Sequence, residues 1–262
     1  MNRTACLLLS VLACTIVFAD IKSDPSGAPK LNPRRVVFER LIYSNAQKDE
    51  LPFALFKPKL KKNERFPLVV CLHGGGRRVS TNGEQIDELA IRLVPDDWQN
   101  KQPCFVLSPL GKDGWNGAQW RQMGQKNMPA EPEAAAMRLT LELIDELIRT
   151  HPIDPSRIYV TGGVMGGAGA LSAAAHRPEL FAAVFAVDPE MYRDGAGALK
   201  DMPITVATDP ASNKTGRPQE IVKEITDAGN AKVVLVEARD PGEKNKDIEW
   251  LFKQRRAKPA KP

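Results

Sequence analysis

The stretch YVTGGVMGGAGAL, Tyr159–Leu171, decides the fold. An apolar run ends at Thr161, glycines crowd positions 162, 163, 166 and 167, and a segment of Ala and Leu follows. Glycine has no Cβ, so it lets a chain reverse direction in a space that other residues cannot enter. Extended apolar residues running through paired glycines into small helix formers predict a strand that turns sharply into a helix. The residue at the apex of that turn is Val164.

Working outward, strands and helices alternate. On the N-terminal side, LVVCLHGGG and PCFVLSPL are short continuous apolar runs, as expected of central strands buried on both faces. IDELAIRLV has helical spacing between them, and EAAAMRLTLELIDELIRTH is a long amphipathic helix with Met137, Leu141, Ile144 and Ile148 on one face. On the C-terminal side, FAAVFAVD, PITVATD and AKVVLVEAR read as strands, with helices in PQEIVKEITDAG and KDIEWLFKQ. RRVVFERLIYS and LPFALFKPKL, split by the polar turn NAQKDE, form a leading pair of strands. This alternation predicts an α/β fold with a mostly parallel central sheet and helices on both faces.

The chain has 262 residues, 42% hydrophobic and 26% charged, which is enough for one sizeable core without a metal or disulfide staple. Residues 1–19 carry Arg3 and then an apolar run from Ala5 to Ala19, too short for a bilayer and ending in small residues. They read as a secretory signal, which predicts a secreted or periplasmic protein. Cys14 in VLAC offers a lipoprotein alternative. Residues 20–33 read as a linker, 34–252 as the folded domain and 253–262 as a basic disordered tail. The five tail charges, Lys253, Arg255, Arg256, Lys258 and Lys261, equal the whole net charge of +5. The body is therefore near neutral, which argues against nucleic acid as a partner and leaves the tail as a contact for an anionic envelope polymer. Cys71 and Cys104 sit in strands and read as inert core residues; no Cys/His cluster suggests a metal, and no cofactor is expected.

PLVVCLHGGGRR, PCFVLSP and LELIDELIRTHPIDPSRIYVTGGVMGGAGAL, followed by AAAHRPELFAAVFAV, resemble the α/β-hydrolase superfamily. Within it they resemble the secreted bacterial esterases of the phospholipase/carboxylesterase and prolyl-oligopeptidase-like group. The resemblance runs from about Leu51 to Leu251. It implies an α/β-hydrolase fold and a Ser-His-Asp triad on loops at the carboxyl ends of the strands. The family's G-x-S-M-G-G elbow maps onto Gly162–Gly167 and puts Val164 in the serine position. A valine has no oxygen to attack a carbonyl. The resemblance further implies an oxyanion site built from His73, Gly74, Gly75 and the N–H of Met165, with His73 shaping the loop. It offers Asp209 as the acid and places the base near Glu243, where no histidine stands. His151 precedes the strand leading into the elbow. His176 lies about eleven residues into the next helix, roughly 16 Å away at 1.5 Å per residue, far outside hydrogen-bond reach.

Two of three triad roles are thus empty. The leading expectation is a secreted, non-catalytic, ligand-binding homologue, with a small molecule or carbohydrate ester as ligand by analogy with the family. Arg77, Arg78, Trp115, Trp120 and Tyr192 are its candidate ligand-binding residues, since a cleft-side loop with tryptophans can stack on sugars or acyl groups. One alternative is an active carboxylesterase with relocated chemistry, using Ser108 or Thr161 with Lys244 or Glu243 as base. Another is an envelope interaction protein acting through its basic tail.

Overall fold

In the computed structural model, the described residues are 19–24, 37–75, 81–112, 114–115, 134–190, 195–209, 215–237 and 246–256. Among the described residues, nine strands form one sheet in the order β1-β2-β3-β5-β4-β6-β7-β8-β9. The first three, β1 (Asp20–Ser23), β2 (Glu39–Ser44) and β3 (Glu50–Phe56), run antiparallel, and β3 pairs antiparallel with β5 (Phe105–Pro109). The remainder is parallel: β4 (Phe66–Leu72) lies between β5 and β6 (Ile153–Gly163), followed by β7 (Ala183–Val187), β8 (Ile204–Thr208) and β9 (Val233–Glu237).

The period-two rule of strands sorts the core into two layers. Leu68, Val70 and Leu72 of β4 face α3 (Ala135–Thr150), α4 (Met165–His176) and α5 (Arg217–Asp227). Val69 and Cys71 face the other layer, made by α1 (Glu88–Arg92), α2 (Asp96–Lys101) and α6 (Lys246–Phe252). All seven residues of β4 are buried, the signature of a strand covered on both sides. Met137, Leu141 and Ile144 of α3 are buried in the first layer and Ile148 packs against it. Cys71 and Cys104 are free thiols with burial pushing both pKa values upward, Cys104 to about 12. Helix α2 was not expected from sequence. It spans only six residues, and only Trp98 on it is buried, against Phe252 with ring centroids 5.5 Å apart.

The structure alters two of the expected boundaries. Residues 20–23 are not linker: β1 pairs along β2 with Asp20 opposite Ser44, and Lys22 bridges Glu50 at 2.7 Å. Residues 25–33 lie outside the described residues. The tail is ordered as far as Arg256. The Tyr159 hydroxyl donates to the Gln254 carbonyl at 2.9 Å, and the Arg256 N–H donates to the Ser156 carbonyl at 3.0 Å. Arg255 reaches the Ser156 hydroxyl at 3.0 Å and Asp154 at 3.3 Å. Burial raises the Asp154 pKa, but donation from Ser156 and the Arg157 guanidinium outweighs it and holds the carboxyl at about 2. Sequence composition signals solubility but not such backbone docking, which depends on where the start of β6 happens to lie. Residues 257–262 lie outside the described residues, and among the described residues no helix is long and apolar enough to cross a membrane.

Removing the Tyr159 hydroxyl tests the docking. Tyr159→Phe is expected to lower unfolding free energy by about 1 kcal/mol, the net worth of one hydrogen bond. Denaturant titration should show a lower midpoint with unchanged slope, and hydrogen exchange should be faster at the Arg256 amide.

Candidate active site

The carboxyl ends of β4, β6, β7 and β8 lie at one end of the sheet because those strands are parallel, and the chain turns from β6 into α4 there through Val164. Val164 adopts φ +54° and ψ −110°. Positive φ is an outlier for a β-branched residue, whose Cβ crowds the backbone. The conformation is held from both sides: the Val164 N–H donates to the Val187 carbonyl at 2.9 Å and its carbonyl accepts from the Ala168 N–H at 3.1 Å. Its side chain is 39% exposed, so the apex of the turn presents two methyl groups to solvent.

Two glycines explain why the turn is so tight. A Cβ on Gly166 would lie 1.9 Å from the Leu72 carbonyl oxygen, and one on Gly162 would lie 2.4 Å from the backbone of Gly166. The first turn of α4 therefore rests directly on the ends of β4 and β6, with no side chain between.

The loop leaving β4 approaches the same apex. A Cβ on Gly74 would stand 3.1 Å from the Gly163 carbonyl. His73 is buried and donates Nδ1–H to the Gly74 carbonyl at 3.1 Å while Nε2 accepts the Gly111 N–H at 3.1 Å. Both nitrogens are thus engaged in the neutral tautomer, and burial holds the pKa below its ordinary value against the opposing effect of the Gly74 bond. Trp115 donates its indole N–H to the His73 carbonyl at 3.0 Å and meets the imidazole edge to face at 5.1 Å. Gly169 supplies the space for it, since a Cβ there would be 2.8 Å from that of Trp115. His73 and Trp115 hold the loop of Gly74 and Gly75 in place. Met165 opens α4, so its backbone N–H belongs to the unbonded first turn of the helix and lies next to the apex.

Trp115 was expected as a ligand-binding residue, but the structure buries it to 1% exposure, so its ring is a packing element of this loop. Ser108 and Thr161 were the candidates for relocated nucleophiles. Both are fully buried, and Thr161 donates its hydroxyl to the Phe185 carbonyl at 2.7 Å, so neither hydroxyl faces a cleft. They are central-strand residues, and both faces of the sheet are covered there. Asp209 directly follows β8 at the same sheet end as Val164 and is half-buried. His151 lies at the opposite end, just before β6, where its ring stands edge-on to Phe105 at 5.7 Å. His176 closes the twelve-residue α4. Arg77, Arg78, Trp120, Tyr192, Glu243 and Lys244 lie outside the described residues. No group of three or more His, Cys, Asp or Glu able to hold a metal occurs among the described residues.

Sequence reasoning missed one supporting network. Asn82 donates to the Leu41 and Phe53 carbonyls at 3.0 and 3.2 Å, and Gln85 donates to Asn82 at 2.7 Å and to the Ser108 carbonyl at 3.1 Å. These buried amides tie the approach to α1 onto β2, β3 and β5. Two polar residues on either side of Gly83–Glu84 look like an ordinary exposed turn, so no local signal distinguishes them.

A strand-to-helix elbow at the end of β6, an adjacent glycine loop after β4 and a carboxylate after β8 define an α/β-hydrolase fold. A model of the family described as "Esterase" matches residues 44–261, and the chain belongs to that family. The crystal structure of a thermostable esterase superposes with a TM-score of 0.71 at 27% identity, covering 84% of this chain and 64% of that one. The S-formylglutathione hydrolase of Staphylococcus aureus superposes at 0.56 with 12% identity, covering 82% of this chain and 96% of that one. Arylacetamide deacetylase-like 2 of Homo sapiens is 24% identical over 118 residues, which are 45% of this chain and 26% of that protein. The matched regions are thus less than two thirds of the thermostable esterase and about a quarter of the human relative.

Substitutions separate strain from contact at the elbow. Val164→Gly is expected to raise stability by about 1 kcal/mol, because relief of roughly 2 kcal/mol of backbone strain exceeds the entropic cost of glycine. Gly166→Ala is expected to cost about 4 kcal/mol or more, since the new Cβ collides with backbone. Chemical denaturation of the two variants checks both signs.

The buried His73 predicts an acid limb in stability. Its proton is held more weakly in the folded state than in the unfolded chain, so stability is full above the ordinary value of 6.5 and falls as pH drops below it. His151, whose pKa is also lowered by burial and then by Lys57, adds a contribution of the same sign. His73→Gln should be less stable than the native protein at about pH 7.5 and lose less stability on going to about pH 5. An unchanged slope would assign the limb to other groups.

Proposed function

We propose that this chain is a non-catalytic member of the esterase family, exported through residues 1–19, that binds an acyl-bearing small molecule or carbohydrate ester in the cleft above Val164. The observation that carries this reading is Val164 itself, held by backbone hydrogen bonds at the apex of the elbow with a side chain that has no oxygen. Activated attack needs a nucleophile and a base that takes its proton. The chain contains three histidines: one is buried with both nitrogens bonded, one precedes β6 at the far end of the sheet, and one ends α4. Triad members act as a unit, so loss of two leaves only binding and oxyanion stabilisation.

What supports retained binding is the preserved frame. The Met165 N–H and the Gly74–Gly75 loop flank the apex where a carbonyl oxygen is received in an active family member, and His73 and Trp115 keep that loop in register. Hydrogen-bond donors arranged for a developing oxyanion also accept a ground-state carbonyl, so a ligand's ester is held without being cleaved.

Fluorophosphonate labelling read by intact mass is the direct test. The native protein is expected to take up no adduct under conditions that label an active esterase completely, and to hydrolyse p-nitrophenyl acetate no faster than buffer. Val164→Ser alone should remain at least about a thousandfold below an active enzyme, because the base is still missing. Val164→Ser with Glu243→His should gain measurable turnover. A stoichiometric adduct on the native chain, or high activity from the single substitution, would overturn the proposal.

A further inference from the structure

At the end of the sheet away from the elbow, a groove of about 320 Å³ opens between the C-terminal end of α3 and the strands β1, β2 and β3. Its accessible apolar lining is Ile21 and Leu41, both partly exposed, with the fully buried Leu55 and Leu147 beneath them. The volume lies at the lower end of small-molecule sites, which are mostly apolar with a few convergent polar groups. We propose that this groove is a second binding site, for an uncharged, mainly apolar molecule of medium chain length that carries one hydroxyl donor. It is independent of the elbow and does not rest on the reading of Val164.

The charge state of the ligand follows from the rim. Glu39 is paired with Lys57 at 2.8 Å, and Glu146 is held by Arg149 through two hydrogen bonds of 3.0 and 2.6 Å. Each acid has its own cation, so the rim has no net charge to offer an ionic head group. Removing a carboxylate or ammonium from water at such a wall is therefore uncompensated.

The hydrogen-bonding preference follows from counting protons around His151, which lines the groove. The Thr150 hydroxyl donates to the Glu146 carbonyl at 2.7 Å, which uses its single hydrogen. The 2.9 Å contact between Thr150 Oγ1 and His151 Nδ1 must then be a donation from Nδ1–H to the hydroxyl oxygen. A neutral imidazole protonated at Nδ1 carries a lone pair at Nε2. Burial favours that neutral form, with Lys57 acting in the same direction and Glu39 and Glu146 opposing it. The ring nitrogen that His151 leaves unbonded in this tautomer is an acceptor, which takes a hydroxyl hydrogen and repels a carboxylate, while the Lys57 ammonium on the rim is already neutralised by Glu39.

The test uses the full chain, labelled at Ile and Leu methyls and at histidine, titrated with 1-octanol, octanoate and octylamine in separate NMR experiments. Octanol is expected to shift the Ile21 and Leu147 methyls and the His151 ring signal saturably in the millimolar range or below. Octanoate and octylamine should bind about tenfold more weakly or not at all. His151→Phe keeps an aromatic ring against Phe105 but lacks the acceptor, and should weaken octanol about five- to tenfold. Leu41→Trp, at a partly exposed lining residue, fills the groove and should abolish the shifts at Ile21 while circular dichroism stays native. Absence of saturable shifts, equal binding of all three probes, or shifts confined to the His73 ring beside the elbow would each overturn the proposal.

Discussion

Gly166 has no side chain, and the Leu72 carbonyl occupies the place where one would be. From that contact the rest of the site follows. With α4 seated on the ends of β4 and β6, the connecting residue has to turn within a single position, and only a positive φ closes the gap. Val164 accepts a conformation that its β-branch disfavours because the hydrogen bonds to Val187 and Ala168 and the packing of α4 over-determine it. A fold can keep a strained turn whatever chemistry the turn serves, because the strain is imposed by packing and not by catalysis.

The second element of the site is the loop after β4, and its order comes from two aromatic side chains with no surface to offer a ligand. His73 ties Gly74 to Gly111, and Trp115 closes over it into the space that Gly111 and Gly169 leave open. A histidine next to an elbow invites a catalytic role. Its two bonded nitrogens, its burial and its depressed pKa give it a structural one. The donors of an oxyanion site are mostly backbone groups, so they survive as long as the loop keeps its shape, whatever happens to nucleophile and base.

The two ends of the sheet serve different purposes. At the carboxyl ends of the parallel strands, the glycine contacts bring three loops together. At the other end, the early antiparallel strands and the last turn of α3 leave an apolar groove, and Gln254–Arg256 dock onto the start of β6 a few residues away in sequence from His151.

By itself, the sequence determined the alternation of strands and helices, the two-faced burial of β4 and β5, the elbow in Tyr159–Leu171 and the identity of Val164 at its apex. These are local or covalent properties: period-two and period-3.6 patterns, glycine spacing, and residue identity. Tertiary structure decided the burial of Trp115, the inward orientation of Ser108 and Thr161, the Asn82–Gln85 network, the strand at Asp20–Ser23 and the docking of Gln254–Arg256. Each of those depends on a partner 18 to 101 residues away along the chain, such as Phe53 for Asn82 or Asp154 for Arg255, and no local pattern encodes which partner the folded sheet brings near.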